Sequence, residues 1–299
     1  MDLINKRILI LLDNNCRMSY RTIADMMGMT ANAVKKRIEA MVENGTIVKF
    51  NLMPTQAMSG LSFFFGIIET HGNEDTEKFM NQVGSTSIVA HVSQLAYGEG
   101  GGYAIYGQYQ HAKSLADSLG EIRRMDCVQD IEFHNALTFE GTKISLTGPQ
   151  KKLLRAIVDD PRMTISDIAD ETNLSARRVR RELDFLIESR AFHFGLRWNL
   201  ATEKRSQILV YTQYSKEFNV QEFVEWVYDR FELEAWAVTP SAMEPILATP
   251  FVTDSLGKIP EIIRELREYN GIENIRHYVV YTTRKFPWPA ERMMNELIA

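Results

Sequence analysis

The chain has 299 residues, 45% hydrophobic and 24% charged, with 34 Lys+Arg against 39 Asp+Glu and a formal net charge of -5. That apolar fraction excludes a disordered chain, and the length accommodates two average domains or a larger number of small ones. Two cysteines, Cys16 and Cys127, exclude a disulfide framework, and neither a signal peptide nor a run of about 18 apolar residues is present, which predicts a cytoplasmic chain with no membrane partner.

Three short helical patterns come first. Ile8, Leu11 and Leu12 share one face; a second pattern starts after Ser19 and carries Ile23 and Met26; a third starts at Thr30 and carries Val34, Ile38 and Met41. Gly28 separates the second from the third, where a helix end favours a residue tolerant of positive φ. Thr30 is a natural N-cap, and Gly45 ends the third helix before the β-rich run Thr46 to Phe50. Three small helices and a strand pair predict a winged helix-turn-helix over 1–53.

A different rhythm follows the linker Met53-Pro54-Thr55-Gln56. β runs at Leu61 to Ile68, Ile88 to Tyr97, Tyr103 to Tyr109 and Val128 to Leu137 alternate with helical stretches near Asp75 to Val83 and Ala112 to Met125. The order βαββαβ predicts a ferredoxin-like domain over 61–141, an antiparallel sheet covered on one face by two helices.

The chain then starts again. Arg17-Met18-Ser19 and Ile23-Ala24-Asp25 recur as Arg162-Met163-Thr164 and Ile168-Ala169-Asp170, at a constant offset of 145. Val34, Ile38 and Met41 meet Val179, Leu183 and Leu186 at that offset, and Ser175 is the cap equivalent to Thr30. A second winged helix-turn-helix is expected over 147–200. A second βαββαβ follows over 206–284, from runs at Gln207 to Tyr214, Val220 to Phe231, Leu233 to Thr239, Ile246 to Thr253, Leu256 to Tyr269 and Ile272 to Tyr281. A tail over 285–299 carries Met293, Met294 and Leu297 at helical spacing and is expected to dock on its own chain or on a partner. The fold class is α+β, two winged helix-turn-helix domains alternating with two ferredoxin-like domains.

Both halves resemble the leucine-responsive regulator (Lrp/AsnC, feast/famine) family of transcription factors. The first half carries the resemblance in the stretches Arg17 to Ala24, Met29 to Ile38 and Asn44 to Ile47, and Asn51-Leu52-Met53-Pro54 looks like the family's hinge. The second half has Arg190 where Gly45 stood, and the Asn51-Leu52 pair returns at Asn199-Leu200. The resemblance implies double-stranded DNA as partner and regulation of transcription, with a homodimer or an intramolecular pseudo-dimer as the DNA-bound form.

With Val34, Ile38 and Met41 turned inward at 100° per residue, Asn32 and Lys36 point outward and Lys35 flanks them. In the second copy Arg177 and Arg181 point outward, flanked by Arg178 and Arg180. These first turns are the end of a recognition helix that enters a major groove, where the arginine fork suits phosphates and guanine edges. The expected contacts are Ser19, Tyr20, Thr30, Asn32, Lys35 and Lys36 in the first copy, and Thr164, Ser175, Arg177, Arg178, Arg180 and Arg181 in the second. A solvated face paired with Glu182, Asp184 and Glu188 stands beside this reading. Local charge favours DNA: residues 1–52 carry 8 basic against 5 acidic residues and 147–200 carry 10 against 8, so the acid is concentrated elsewhere.

Between the second and third strands of the first βαββαβ lies Tyr97-Gly98-Glu99-Gly100-Gly101-Gly102-Tyr103. The resemblance implies an amino-acid effector here, with Gly98, Gly100, Gly101 and Gly102 letting backbone N–H groups approach a carboxylate and Glu99 meeting an ammonium group. A flexible hairpin is the alternative. The six histidines show no two-His helical spacing, so neither metal nor cofactor is expected. Sirohaem decarboxylases share this layout and form the enzymatic alternative, for which His91, Tyr97, Tyr103 and His134 are the available residues; a low-specificity architectural DNA binder is the third reading.

Overall fold

A computed structural model describes residues 1–199 and 205–298; Leu200, the last residue expected for the second helical domain, lies outside the described residues. The first copy runs α1 (Leu3–Asn14), α2 (Tyr20–Met27), α3 (Ala31–Glu43), β1 (Ile47–Pro54), α4 (Gln56–Ser59), β2 (Ser62–Thr70), α5 (Thr76–Gly84), β3 (Val89–Leu95), β4 (Gly101–Tyr109), α6 (Ala112–Arg123) and β5 (Val128–Asn135). The second runs α7 (Gly148–Ile157), α8 (Ile165–Thr172), α9 (Ala176–Glu188), β6 (Phe192–Trp198), β7 (Ser206–Tyr214), α10 (Val220–Arg230), β8 (Thr239–Pro240), β9 (Ile246–Thr253), α11 (Ile259–Glu268) and β10 (Ile272–Lys285), and α12 (Pro289–Ile298) closes it. Spatially the chain forms two compact units, one gathering both helical regions with α12, the other gathering both βαββαβ regions.

In the helical unit the apolar faces close as their spacing dictates: Ile8, Leu12, Ile23, Val34, Ile38 and Met41 are buried in one copy and Val179, Leu183 and Leu186 in the other. Met26 is the exception, 61% exposed. The buried arc of the short α2 is centred on Ile23 and Ala24, and one more turn brings Met27 rather than Met26 under it. The expected strand pair within each copy is also corrected. Each copy supplies one strand, and β1 pairs antiparallel with β6, Asn51 opposite Gly195 and Leu52 opposite Phe194. A lone strand leaves its N–H and C=O groups unpaired, and the other copy satisfies them. Against this unit α12 buries Ala290, Met294 and Ile298, and its Glu291 accepts from Arg197 at 2.7 Å and lies 3.0 Å from Lys49 Nζ.

The other unit holds an eight-stranded antiparallel sheet, ordered β5-β2-β4-β3-β10-β7-β9-β8 among the described residues. The two βαββαβ regions join edge to edge through β3 and β10, Val280 opposite Leu95. The sheet also curls until its margins meet: Ala136 bridges Ser241, Leu137 N–H donates to Pro240 O at 2.8 Å and Ala242 N–H to Asn135 O at 2.7 Å. Strand alternation sorts the side chains. Phe64 and Ile68 of β2 face α5 and α6, whereas Phe65 and Ile67 enter an enclosed cluster with Leu95, Leu209, Tyr211 and Ala248.

The run Leu233 to Thr239, expected as a strand, is reduced to Thr239–Pro240 and a single bridge from Ala235 to Phe251. Glu234 and Ala235 N–H groups both turn back to Phe231 O, extending the end of α10, and Pro240 has no N–H to donate to a ladder. β10 in turn outruns its expected end at Tyr281 and reaches Lys285, because β3 pairs with its last residues.

Candidate nucleic-acid interface

Hydroxyl caps set both helix-turn-helix motifs. Ser19 accepts from Thr22 N–H at 3.0 Å and Thr30 from Ala33 N–H at 3.2 Å; Thr164 and Ser175 accept from Asp167 and Arg178 N–H at 3.2 and 3.3 Å. All four hydroxyls are exposed; that of Thr164 donates its proton to Asp167 Oδ2 at 2.7 Å and that of Ser19 shares a bond with Thr22 Oγ1 at 2.7 Å, while those of Thr30 and Ser175 keep a proton to donate. Between the paired helices Gly28 adopts φ 64°, and its equivalent Asn173 adopts φ 54°, so the same left-handed turn is made by the two residue types that tolerate it best. Arg190, equivalent to Gly45, adopts φ 53°, and its guanidinium rests 5.8 Å from the Phe139 ring centroid.

Asn32, Lys35 and Lys36 are exposed on the first turns of α3, as are Arg177, Arg178, Arg180 and Arg181 on α9. Lys35 lies 3.6 Å from Glu39. Arg37 is turned away to the N-terminus of α1, donating to Asp2 Oδ2 at 2.7 Å and Asn5 Oδ1 at 2.8 Å. At the equivalent place in the second copy stands Glu182, which takes a bond from Arg181 at 2.7 Å and lies 3.8 Å from Arg178 Nε. The Arg181 hydrogen bond, working against burial and helped by Gln150 and the nearby arginine charges, holds the Glu182 carboxyl below its ordinary pKa.

The two helical regions are clamped together. Arg17 donates to the carbonyls of Pro161 and Met163, the latter at 2.9 Å, and Arg162 donates to Cys16 O. Arg17 and Arg162 are equivalent at the 145-residue offset, so the contact is reciprocal about a pseudo-twofold axis. Arg162 also lies over the Tyr20 and Phe50 rings, 5.1 and 5.0 Å from their centroids, so half-buried Tyr20 is engaged within the chain. Leu196 N–H adds a bond to Asp13 Oδ1 at 3.1 Å and Thr55 Oγ1 one to Ala191 O at 2.9 Å. Burial lowers the Arg17 pKa from its ordinary value, and burial pushes the Cys16 thiol up to about 12. Sequence reasoning missed this clamp, although its signal was present in an arginine repeated at the start of both motifs.

In the other unit the glycine hairpin has a packing explanation for three of its four glycines. A Cβ on Gly100 would strike Thr70 O, one on Gly101 would strike Thr70 Oγ1, and one on Gly102 would enter the Tyr97 ring. Gly98 and Glu99 are exposed, and a Cβ on Gly98 would meet open space. The four residues considered for catalysis do not assemble. Tyr103 faces the helices, packed on Phe79 and bonded to Glu74 at 2.7 Å, and the His91 ring stands 5.1 Å from Trp288. Tyr97 and His134 do face the enclosed cluster. Tyr97 bonds Glu69 and stacks 5.6 Å from Tyr278, while His134 lies 2.8 Å from Glu132, which Arg276 grips with both guanidinium nitrogens at 2.7 and 2.5 Å. Burial opposes ionisation of Glu132, but hydrogen bonds from His134 and Arg276 outweigh it and hold the carboxyl at about 2. Among the described residues, no group of three or more His, Cys, Asp or Glu is placed to hold a metal, and no helix is long and apolar enough to cross a membrane.

The AsnC-type helix-turn-helix domain family matches residues 1–42, and a winged helix-turn-helix DNA-binding family matches residues 148–189. An uncharacterised HTH-type transcriptional regulator of Pyrococcus horikoshii is 23% identical over 94 residues, 31% of this chain and 64% of the relative. The HTH-type transcriptional regulator LrpB of Bacillus subtilis is 31% identical over 83 residues, 27% of this chain and 56% of the relative. Both alignments thus span less than two thirds of those relatives. The crystal structure of the siroheme decarboxylase NirDL has the same double layout, with a TM-score of 0.60 at 12% identity over 99% of this chain and 98% of that one. At that identity the likeness is one of fold.

Proposed function

From the premise that this chain is a tandem-duplicated member of the Lrp/AsnC family, we propose that it is a cytoplasmic, sequence-specific DNA-binding regulator of transcription that reads two unequal half-sites. One observation carries the reading. Two capped recognition helices, each with its polar first turn exposed, belong to a single compact unit in which reciprocal arginines and the β1–β6 pair join the copies. One chain therefore supplies what identical subunits supply elsewhere, a pair of reading heads with a fixed mutual geometry.

The proposed phosphate and base contacts are Asn32, Lys35 and Lys36 on one side and Arg177, Arg178, Arg180 and Arg181 on the other, with Ser19, Thr30, Thr164 and Ser175 lying against phosphates at helix N-termini. Half-buried Tyr20, with Arg162 over its ring, completes the proposed set. Because the two sets differ, the operator is asymmetric. Selection of bound fragments from random DNA tests this: enrichment of two different half-sites at one spacing is expected, and recovery of random sequence would favour an architectural binder. An amino-acid effector at the Gly98–Gly102 hairpin, with Glu99 meeting its ammonium group, is expected to shift the titration of selected DNA, and Glu99→Ala to abolish that shift.

An enzymatic reading draws on the full-length fold likeness to a siroheme decarboxylase. Against it, Tyr97 and His134 are committed to Glu69 and Glu132 inside the curled sheet. Incubation with sirohaem should leave the mass of the tetrapyrrole unchanged; loss of carboxylate mass would overturn the non-enzymatic reading.

A further inference from the structure

The two recognition helices carry opposite charges at one structural position, and the residues around that position differ in a concerted way. In the first copy Asp2 caps α1 by accepting from Asn5 N–H at 2.7 Å, and together Asp2 and Asn5 take up Arg37. Their equivalents are Thr147, Gln150 and Glu182. Gln150 Oε1 accepts from Thr147 N–H at 2.9 Å, which fixes the amide, and its Nε2 then donates to Glu182 Oε2 at 3.0 Å. The second carboxylate oxygen, Oε1, is left facing Arg178 and Arg181. The Glu182 side chain is 10% exposed while that of Arg181 is 70% exposed, so a buried and oriented acid holds an arginine whose remaining donors face solvent. Among the described residues Arg177 and Arg180 make no ion pair.

We propose that Glu182 is a specificity-determining positioning residue of the second reading helix. Four arginines on one helix face would otherwise bind any phosphate backbone, since neutralising phosphates supplies affinity without sequence information. Glu182 cancels part of that charge: it takes one nitrogen of Arg181 and lies 3.8 Å from Arg178 Nε, so both arginines meet phosphates with their charge partly offset. It also restricts the direction in which the Arg181 fork points, and a fixed fork favours a guanine edge over a flexible phosphate contact. The first copy needs no such device, because Arg37 is already consumed by Asp2 and Asn5 and only Lys35 and Lys36 face outward beside Asn32. The inference rests on the proposed DNA-reading function and assigns the unequal character of the half-sites to this charge reversal.

The test uses the full chain on random-sequence and selected DNA at 50 and 200 mM salt. Glu182→Gln keeps the side-chain volume and the bond to Gln150 while removing the charge. Releasing one to two arginines to phosphates steepens the salt dependence of log K by about 0.9 to 1.8, so affinity for random DNA gains about 3- to 12-fold more at the lower salt than at the higher. Preference for selected over random DNA falls correspondingly. A second variant, Thr147→Asp with Gln150→Asn and Glu182→Arg, transplants the first copy's arrangement and should move both readouts the same way. In an Arg178→Ala, Arg181→Ala background Glu182→Gln should change neither. If wild-type protein binds DNA and folded variants keep its salt slope and its preference, this inference is overturned; if wild-type protein binds no DNA, the proposed function falls and takes the inference with it.

Discussion

Removing the reciprocal clamp should uncouple the two reading heads before it unfolds either of them. Arg17→Ala deletes two hydrogen bonds from a charged donor and strands the carbonyls of Pro161 and Met163. At about 1.5–3 kcal/mol for each such bond the gross loss is about 3–6 kcal/mol, and because burying the guanidinium is itself unfavourable, a net loss of about 2–4 kcal/mol is expected. Arg162→Ala deletes one bond to Cys16 O and two cation–π contacts, a loss of about 2–4 kcal/mol. Each copy keeps its own three-helix core, so the destabilisation falls on the interface. Urea denaturation reads the stability term. The functional term is read on selected half-sites whose separation is changed by half a helical turn, about 5 base pairs. Wild-type protein should lose most of its specific affinity on the shifted DNA, whereas Arg17→Ala should bind in-phase DNA more weakly and lose less on the shift. A midpoint shift equivalent to less than about 0.5 kcal/mol, with the phase preference intact, would refute the clamp.

Three further outcomes follow from the same geometry. Arg177→Ala combined with Arg181→Ala should weaken DNA binding and reduce the salt slope by about 0.9 for each phosphate no longer neutralised, so an unchanged slope would remove α9 from the interface. Glu132 ionises at about 2 in the folded chain against about 4.3 when unfolded; its stabilisation, about 3 kcal/mol, is present above the unfolded value and is lost as pH falls towards 2. Accordingly the stability gap between wild type and Glu132→Gln should be wide at pH 6 and nearly closed near pH 2, and a pH-independent gap would contradict the assignment. Gly107→Ala should cost about 2–4 kcal/mol in thermal or urea unfolding, because its Cβ would collide with Ile88 O and the Phe64 ring; wild-type stability would show that the strand has room there.

Local signals were the legible ones. The 145-residue offset exposed the duplication because Ile23, Val34 and Ile38 recur in phase with Ile168, Val179 and Leu183, and the caps at Ser19, Thr30, Thr164 and Ser175 are short-range chemistry. The outward faces of α3 and α9 follow from the same helical period. What escaped depends on partners far along the chain. Nothing in Ile47–Pro54 says that its edge is completed by Phe192–Trp198, and nothing in Val89–Leu95 identifies β10 as its neighbour. Met26 lay within one helical turn of the buried arc, a margin that hydrophobicity alone does not resolve. The hairpin glycines carry a packing reason beside the ligand reading, and a glycine demanded by a neighbouring atom looks the same in sequence as one demanded by a bound carboxylate. The clamp made by Arg17 and Arg162 was not legible because the carbonyls they serve belong to the opposite copy.

If one chain holds two unlike reading heads at one spacing, the DNA it prefers must carry the same asymmetry. Selection from random DNA at a fixed salt concentration, followed by measurement of the spacing and sequence of the enriched half-sites, tests this most directly. Two different half-sites at a single spacing, bound by one chain per fragment, is the predicted result. Enrichment of a palindrome, or no enrichment at all, would contradict it.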